Sequence, residues 1–148
     1  MYKNILIPTD GSKLSSKAVK TALGLAKSLG AKATVFYATP EYPSPVYSEG
    51  AVFTSYVTRA EYNRTQAEAA QKVLAGIEKL ALAAGVTLTT EHAASNSPFE
   101  SILKVATRRK CDLIVMASHG RSGVAALLLG SETQKVLTHS KVPVLVVR

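Results

Sequence analysis

The sequence has one cysteine, Cys111, no tryptophan and only three histidines in 148 residues. A single cysteine cannot form a disulfide within the chain, and three scattered histidines do not make a recognisable zinc site. No apolar run approaches the roughly 20 residues of a membrane-spanning helix, and the first residues do not have the pattern of a secretory signal. We therefore expect a cytoplasmic protein in which any metal ion arrives with a ligand.

Several motifs of nucleotide and acyl chemistry are also missing. The sequence has no G-x-x-x-x-G-K-[ST], which excludes a P-loop NTPase, and no G-x-G-x-x-G after a strand, which disfavours a nicotinamide site. It has no G-x-S-x-G elbow to present a nucleophile, and no general base or metal-ligand set that would activate water. We expect a binding protein rather than a fast enzyme, with slow hydrolysis of a bound nucleotide as the upper limit.

The composition favours one folded, basic domain. Hydrophobic residues make up 47% and charged residues 19% of the 148 residues, which corresponds to a single domain over residues 1–148. Eighteen Lys and Arg against ten Asp and Glu give a net charge of +8, which favours an anionic partner. The densest basic run is Arg108-Arg109-Lys110. Because basic residues at a helix end ordinarily complement the helix dipole, nucleic-acid binding is the least favoured alternative.

Apolar runs alternate with amphipathic segments along the chain. Five segments have the character of strands: Asn4–Gly11, Ala33–Ala38, Val86–His92, Asp112–Ala117 and Val142–Val147. Four segments have the periodicity or the capping residues of helices: residues 14–29, 58–84, 97–109 and 131–140. This alternation predicts an α/β fold with a doubly wound parallel sheet and helices on both faces. Two strand orders, 2-1-3-4-5 and 3-2-1-4-5, remain open.

The segment from Pro40 to about residue 57 differs from the rest. It contains prolines at positions 40, 43 and 45 and predicts a long loop without regular structure. Such loops are uncommon in compact domains and often act as lids or contact surfaces. Its aromatic rings would pack such a lid, and a partly disordered excursion is the alternative; the rings are those of Tyr42, Tyr47, Phe53 and Tyr56.

The topology indicates where a ligand would bind. In doubly wound sheets, ligands lie beyond the carboxyl ends of the strands where the winding reverses, and both strand orders place Thr9-Asp10-Gly11 there. The loop after the fourth strand, Ser118–Gly123, and the start of the last helix at Gly130-Ser131 form a second candidate. Glycines and a helix N-terminus expose backbone N–H groups to an anion, and Arg121 adds positive charge. Together these features predict a phosphate site.

Each of these residues also has an ordinary structural explanation. Ser131 and Gln134 have the spacing of a capping box. Asp10 could cap the first helix or accept hydrogen bonds from local amides. Gly120 and Gly123 could be loop glycines with positive φ. The functional interpretation depends on the convergence of all these signals at one edge of the sheet.

Three segments resemble the universal stress protein family over the whole chain. They are Ile5–Ser12, Asp112–Gly123 and Pro143–Val147. The nucleotide-binding branch of that family carries G-x2-G-x9-G-[ST], and Ala117, Gly120, Gly130 and Ser131 occupy the four positions here. The resemblance implies strand order 3-2-1-4-5, ATP with Mg²⁺ as the ligand, and a homodimer through the last strand. Val142–Val147 would otherwise be an exposed apolar edge, which pairing removes.

The resemblance also implies a set of nucleotide-binding residues. They are Pro8, Thr9, Asp10, Ala38, Met116, Ala117, Gly120, Gly130, Ser131 and Thr133. By this resemblance the first three line the adenine and ribose, and Ala38 closes over the base. The next two shape the ribose end, and the last four hold the phosphates, whose oxygens Mg²⁺ bridges.

The expected function is that of an ATP-binding module in a stress response, whose loops and contacts with a protein partner respond to the nucleotide. An alternative is a family member that has lost nucleotide binding and acts through protein contacts alone. Two residues favour this alternative. Ala117 adds a methyl group where the family motif has glycine, and Glu132 places a carboxylate beside the predicted phosphate site.

Overall fold

The strands alternate with helices as the sequence predicts. The computed structural model describes residues 1–43, 47–48, 51–52, 57–120 and 129–148. The strands are β1 (Asn4–Thr9), β2 (Lys32–Thr39), β3 (Tyr47–Ser48), β4 (Ala51–Val52), β5 (Leu88–Ala94), β6 (Leu113–Ala117) and β7 (Val144–Val147). The helices are α1 (Lys13–Leu29), α2 (Arg59–Ala84), α3 (Pro98–Arg108) and α4 (Ser131–His139).

The five longer strands form one parallel sheet in the order β5-β2-β1-β6-β7. Numbered among themselves, these strands have the order 3-2-1-4-5, which confirms the predicted fold and decides between the two orders. The chain winds outwards from β1 to β5, then crosses to β6 on the other side of β1. The winding therefore reverses between β1 and β6, where a ligand site is expected.

The helices bury both faces of the sheet in two apolar clusters. Alternate residues of β6 show the division: Leu113 and Val115 pack with α1 and α2, whereas Ile114 and Met116 pack with α3 and α4. This period-two alternation on a strand buried on both faces explains the unbroken apolar run in the sequence.

The ends of α1 and α2 match their capping residues. The Ser12 hydroxyl accepts a hydrogen bond from the Ser15 N–H (3.1 Å), and α1 ends at Gly30 with φ 61°. The predicted capping box of α2 is present, because the Thr58 hydroxyl and the Glu61 carboxylate each accept the other's backbone N–H (3.2 and 3.0 Å). Both helices begin and end within one residue of prediction.

At α3 the predicted N-cap residue Ser97 and the first-turn residues Pro98 and Glu100 are confirmed, whereas the predicted capping box of α4 is wrong. The Ser97 side chain makes no capping bond at α3. The N-cap of α4 is Gly130, so Ser131 is the first helical residue and is exposed, and the Gln134 amide donates instead to the Leu129 carbonyl (3.1 Å). The predicted Ser131–Gln134 capping box is therefore absent.

The segment after Pro40 contains regular structure, so the prediction of a loop without regular structure is wrong for part of it. The two short strands pair antiparallel, with Tyr47 opposite Val52 and Ser48 opposite Ala51. The predicted packing of the rings of Tyr47, Phe53 and Tyr56 lies outside the described residues.

Tyr42 anchors the beginning of this segment. Its hydroxyl donates to the Val57 carbonyl (3.0 Å), and its ring meets the edge of Tyr62 with centroids 5.5 Å apart. The Arg59 guanidinium lies 5.3 Å from the centre of the same ring. Tyr42 therefore packs on the first turn of α2.

None of the helices described here is long and apolar enough to cross a membrane, and the expected cytoplasmic location stays a prediction.

Candidate functional site

The candidate site begins where β1 and β6 separate. The Asn4 carbonyl accepts the Asp112 N–H (3.0 Å), so the even-numbered residues of β1 turn their backbone groups towards β6. The next residues of that set are Leu6 and Pro8, and proline has no N–H to donate. The β1–β6 register ends at Leu6, whereas β1 stays paired with β2 as far as Thr9. Pro8 thus ends the ladder at the point where the winding reverses.

The loops that follow β1 and β6 meet at Asp10 and Gly120. A Cβ atom added to Gly120 would lie 2.6 Å from Oδ2 of Asp10, so the carboxylate rests against the glycine backbone. The other carboxylate oxygen accepts the Ser12 N–H (2.9 Å), which is one of the local roles considered for Asp10. Ser12, not Asp10, caps α1. Gly120 does not have a positive φ, so the explanation of Gly120 as a loop glycine with positive φ is wrong. What distinguishes Gly120 is its close contact with the Asp10 carboxylate.

The start of α4 is fixed against the end of β6 by three contacts. The Gly130 N–H donates to the Ser118 carbonyl (2.8 Å), and the Thr133 hydroxyl donates to the Ala117 carbonyl (3.0 Å). A Cβ atom on Gly130 would lie 3.0 Å from the His119 Cα. These contacts place the first turn of α4 at the same edge of the sheet as Asp10. No side chain caps the N–H groups of that turn.

Neither residue that favoured the loss of nucleotide binding obstructs this edge. Ala117 is 7% exposed, and its methyl group belongs to the core between the sheet and α1. The Glu132 carboxylate accepts the Phe99 N–H at the start of α3 (2.8 Å) and pairs with Lys135 (2.9 Å). Glu132 therefore supplies the side-chain hydrogen bond that the N-cap residue Ser97 does not make, and its two bonds hold its charge towards α3.

The structure brings the predicted site residues to one edge of the sheet. They lie at the ends of β1, β2 and β6 and on the first turn of α4: Pro8, Thr9, Asp10, Ala38, Met116, Ala117, Gly120, Gly130, Ser131 and Thr133. Three side chains among them already have internal roles. The Thr9 hydroxyl bonds to Ser15 (2.9 Å), that of Thr133 bonds to Ala117, and Met116 packs in the core. The exposed Ser131 hydroxyl and the Asp10 carboxylate remain the polar groups best placed to meet a ligand.

One positioning residue, Tyr37, was not predicted from the sequence, and Ser118 of the predicted loop has a positioning role as well. The Tyr37 hydroxyl donates to the Asp10 carbonyl (3.1 Å) and so helps to hold the turn after β1. Ser118 accepts the Gly130 amide, and its hydroxyl lies 3.2 Å from Nδ1 of His119. The aromatic ring at the end of β2 was a usable signal, because the end of a neighbouring parallel strand must lie beside Asp10. Arg121, Ser122 and Gly123, which were predicted to contribute, lie outside the described residues.

The described residues contain no group of three or more His, Cys, Asp or Glu side chains that could hold a metal ion. Two carboxylates lie near this edge: that of Asp10, which rests against Gly120, and that of Glu132, which is held towards α3. A divalent cation at this edge would need most of its ligands from elsewhere, and phosphate oxygens are the natural source.

Fold and site together define a doubly wound α/β protein with a candidate anion site at its topological switch point, an arrangement typical of nucleotide-binding proteins. The chain belongs to the universal stress protein family, whose model matches residues 1–148. The universal stress protein MJ0531 of Methanocaldococcus jannaschii is 35% identical over 149 residues, which cover 100% of this chain and 83% of that protein. A universal stress protein of Thermus aquaticus is 35% identical over 151 residues, which cover 100% of both chains.

Solved structures share this fold. The universal stress protein UspA of Lactobacillus plantarum has a TM-score of 0.82 at 24% identity, over 99% of this chain and 98% of that one. A universal stress protein in complex with cAMP has a TM-score of 0.69 at 27% identity, over 99% and 97% of the chains. A family protein of Arabidopsis thaliana with bound AMP has a TM-score of 0.68 at 13% identity, over 98% and 90%, which shows the fold alone. Some proteins with this fold therefore bind adenine nucleotides.

Replacement of Glu132 tests whether its charge is turned away from the candidate site. We expect Glu132→Ala to lower the free energy of unfolding by about 1–2 kcal/mol, because α3 loses its cap. The affinity for Mg-ATP should change by less than about threefold, since a charge held by Phe99 and Lys135 does not repel phosphates. Denaturant unfolding and nucleotide titration measure the two effects.

Glu100→Ala is the matched control for Glu132→Ala. Glu100 forms a surface pair with Lys104 (3.9 Å), and among the described residues it has no other ion pair, so its removal should change stability by less than about 0.5 kcal/mol. A tenfold gain in Mg-ATP affinity for Glu132→Ala would contradict the orientation argued here. It would show that the carboxylate faces the phosphates.

Proposed function

We propose that this chain binds adenine nucleotides at the carboxyl edge of its sheet, with ATP and Mg²⁺ as the expected ligands, and acts as a nucleotide-responsive module in a stress response. The observation that carries the proposal is the contact of the Asp10 carboxylate with Gly120 beside the uncapped start of α4. It brings an acceptor suited to ribose hydroxyls next to backbone donors suited to phosphates. The family member in complex with cAMP supports an adenine nucleotide as the ligand.

The residues present fit such a ligand. Gly130 leaves no Cβ between α4 and the end of β6, and Ser131 places an exposed hydroxyl on the first turn of the helix. Ala38, at the end of β2, has the small side chain that a flat base would need beside it. Mg²⁺ would be held by phosphate oxygens, with the Asp10 carboxylate at the same edge of the sheet, and would neutralise phosphate charge there. The chain supplies orientation and anion binding rather than a general base for water.

The proposed assembly is a homodimer formed through β7. This strand lies at the end of the sheet, pairs only with β6 among the described strands, and has Leu145 40% exposed. An apolar edge strand is a template for pairing with another chain, and a second copy would satisfy its outer N–H and C=O groups. Nucleotide binding at the neighbouring end of β6 would then be able to alter the surface that the dimer shows to a protein partner.

A nucleotide titration of stripped protein tests the proposed function. The purified chain is denatured, any released nucleotide is identified by mass, and the refolded protein is titrated calorimetrically with Mg-ATP, AMP, cAMP and Mg-GTP. We expect one site per chain, a micromolar Kd for Mg-ATP, and at least about tenfold weaker binding of Mg-GTP, a difference of about 1.4 kcal/mol. Failure of every adenine nucleotide to bind to the folded protein would overturn the proposal and favour the alternative that acts through protein contacts alone.

A further inference from the structure

Helix α1 exposes a row of lysines that the proposed nucleotide site does not use. The lysine row consists of Lys13, Lys17, Lys20 and Lys27, which are all exposed. Their spacings of four, three and seven residues place them on one face of the helix, over a length of about 21 Å at 1.5 Å per residue. Gly24 lies in the same row, and a Cβ atom added there would meet nothing within 4 Å. The row therefore faces open space.

Apart from the contact of Lys17 with Arg148, the positive charge of the lysine row has no acidic partner among the residues that the structure describes. None of the ion pairs among the described residues includes one of its lysines, and α1 itself contains no Asp or Glu. The Lys17 ammonium group contacts the main-chain oxygen of Arg148, and Lys13 stands at the positive end of the helix dipole. Like charges three and four residues apart also repel each other. Helix stability does not account for this arrangement, whereas an anionic partner would offset the repulsion.

The basic run considered in the sequence is a weaker candidate for such a partner. Arg108 and Arg109 both form ion pairs with Glu91 of β5, whose side chain is only 12% exposed. Two of the three charges in that run therefore already have a partner within the protein. Because both arginines share the single Glu91 carboxylate, one of the three charges of the run is offset, and more unbalanced charge lies on the four lysines of α1.

We propose that the lysine row binds the phosphate backbone of a nucleic acid, without sequence preference. A straight row of cations matches a linear array of phosphates. The hydroxyls of Ser16, Thr21 and Ser28 flank the row but donate to main-chain carbonyls of the helix and its N-cap, so the lysines alone supply the contacts. The row has no aromatic side chain on which bases would stack, so recognition is confined to the backbone.

The alternative partner, an anionic membrane, fits this face less well. Helices that lie on a membrane insert apolar side chains beside their lysines, but the apolar side of α1 is buried against the sheet. On the exposed face of α1, the residues between the lysines are polar or lack a side chain: Ser16, Thr21 and Gly24. Binding of nucleic acid by the row is independent of the nucleotide site, so the two proposals can fail separately.

Fluorescence anisotropy with a labelled 20-nucleotide oligo(dT) and the full-length protein tests the lysine row. Four phosphate contacts to a single strand correspond to a slope of about −2.8 in log K against log salt, or about 50-fold weaker binding at 200 mM than at 50 mM salt. The fourfold variant Lys13→Gln, Lys17→Gln, Lys20→Gln and Lys27→Gln should lose binding and salt dependence together. An oligonucleotide of mixed sequence should bind equally well.

A second fourfold variant controls for net charge. Lys72→Gln, Lys79→Gln, Lys104→Gln and Lys141→Gln remove four exposed lysines elsewhere on the chain and should weaken oligo(dT) binding by less than about threefold at constant salt. Equal losses in the two variants would overturn the proposal, since net charge alone would then explain binding. So would a lysine-row variant that binds as the wild type does, or a wild type that binds vesicles with 30% phosphatidylserine but no oligonucleotide.

The fold of the variants is checked by thermal unfolding and Mg-ATP titration. Loss of like-charge repulsion along α1 should leave the Tm of the lysine-row variant unchanged or raised. If that variant does not fold, Lys20→Gln with Lys27→Gln removes the half of the row farthest from Asp10 and should halve the salt slope. An unchanged slope in this folded double variant would also overturn the proposal.

Discussion

Gly130→Glu is expected to weaken Mg-ATP binding at least about 100-fold, which corresponds to about 2.7 kcal/mol. Two effects act together. Any Cβ at this position lies 3.0 Å from the His119 Cα and 3.4 Å from the Ser118 carbonyl oxygen, so the start of α4 must move away from the end of β6. The new carboxylate also lies beside the uncapped N–H groups proposed to bind phosphate, where it competes with the ligand and repels it. Calorimetric titration measures the loss.

Gly76→Glu provides the same change of residue and charge at a harmless position. Gly76 lies within α2, and a Cβ added there meets nothing within 4 Å. This variant should bind Mg-ATP as the wild type does and should unfold with a free energy up to about 1 kcal/mol higher, because glycine disfavours a helix.

Gly130→Ala, which adds the methyl group alone, should lower stability by about 1–3 kcal/mol through overpacking. If Gly130→Glu binds ATP as tightly as Gly76→Glu, phosphate does not bind at the start of α4.

The sequence predicted the ends of α1 and α2 better than the faces that these helices bury. Ser12 and Thr58 with Glu61 are local signals, because a cap bonds to residues within one turn. The helical periodicity of the sequence predicts that Leu80 belongs to the apolar stripe of α2, but Leu80 is 44% exposed, whereas the neighbouring Ala81 is 1% exposed. Small side chains let a helix approach the sheet closely, so in a helix rich in alanine the largest side chains do not identify the buried face.

The location of the candidate site was predictable because parallel strands share a carboxyl edge. The ends of β1 and β6 must be near each other in any doubly wound sheet that contains them as neighbours, whatever their side chains. The role of Glu132 was not predictable in the same way. Its partner, the Phe99 N–H, is 33 residues away, and a carboxylate beside a predicted phosphate site is expected to repel phosphates until its tertiary contact is known.

Asp10→Ala is expected to weaken Mg-ATP binding about 10- to 100-fold while the fold is retained. Hydrogen bonds to a charged acceptor contribute about 1.5–3 kcal/mol, and the carboxylate against Gly120 is the group proposed to accept them from the ribose hydroxyls. The turn itself should persist, since the Tyr37 hydroxyl bonds to the main-chain carbonyl of Asp10, which the substitution leaves in place. Titration with Mg-ATP and denaturant unfolding separate the two effects.

Asp112→Ala controls for the loss of an aspartate at the opposite edge of the same sheet. Its carboxylate accepts the N–H groups of Lys3 and Asn4 (2.8 and 3.0 Å), so removal should lower the free energy of unfolding by about 1–3 kcal/mol and leave ATP affinity unchanged. Asp10→Asn keeps one oxygen for the Ser12 N–H and makes the other group a donor, so its affinity should fall between those of wild type and Asp10→Ala. Wild-type affinity in both Asp10 variants, with normal unfolding, would remove Asp10 from the site. The ligand would then have to be held at the proposed phosphate site of α4 alone, whose backbone N–H groups suit phosphates and do not select a ribose.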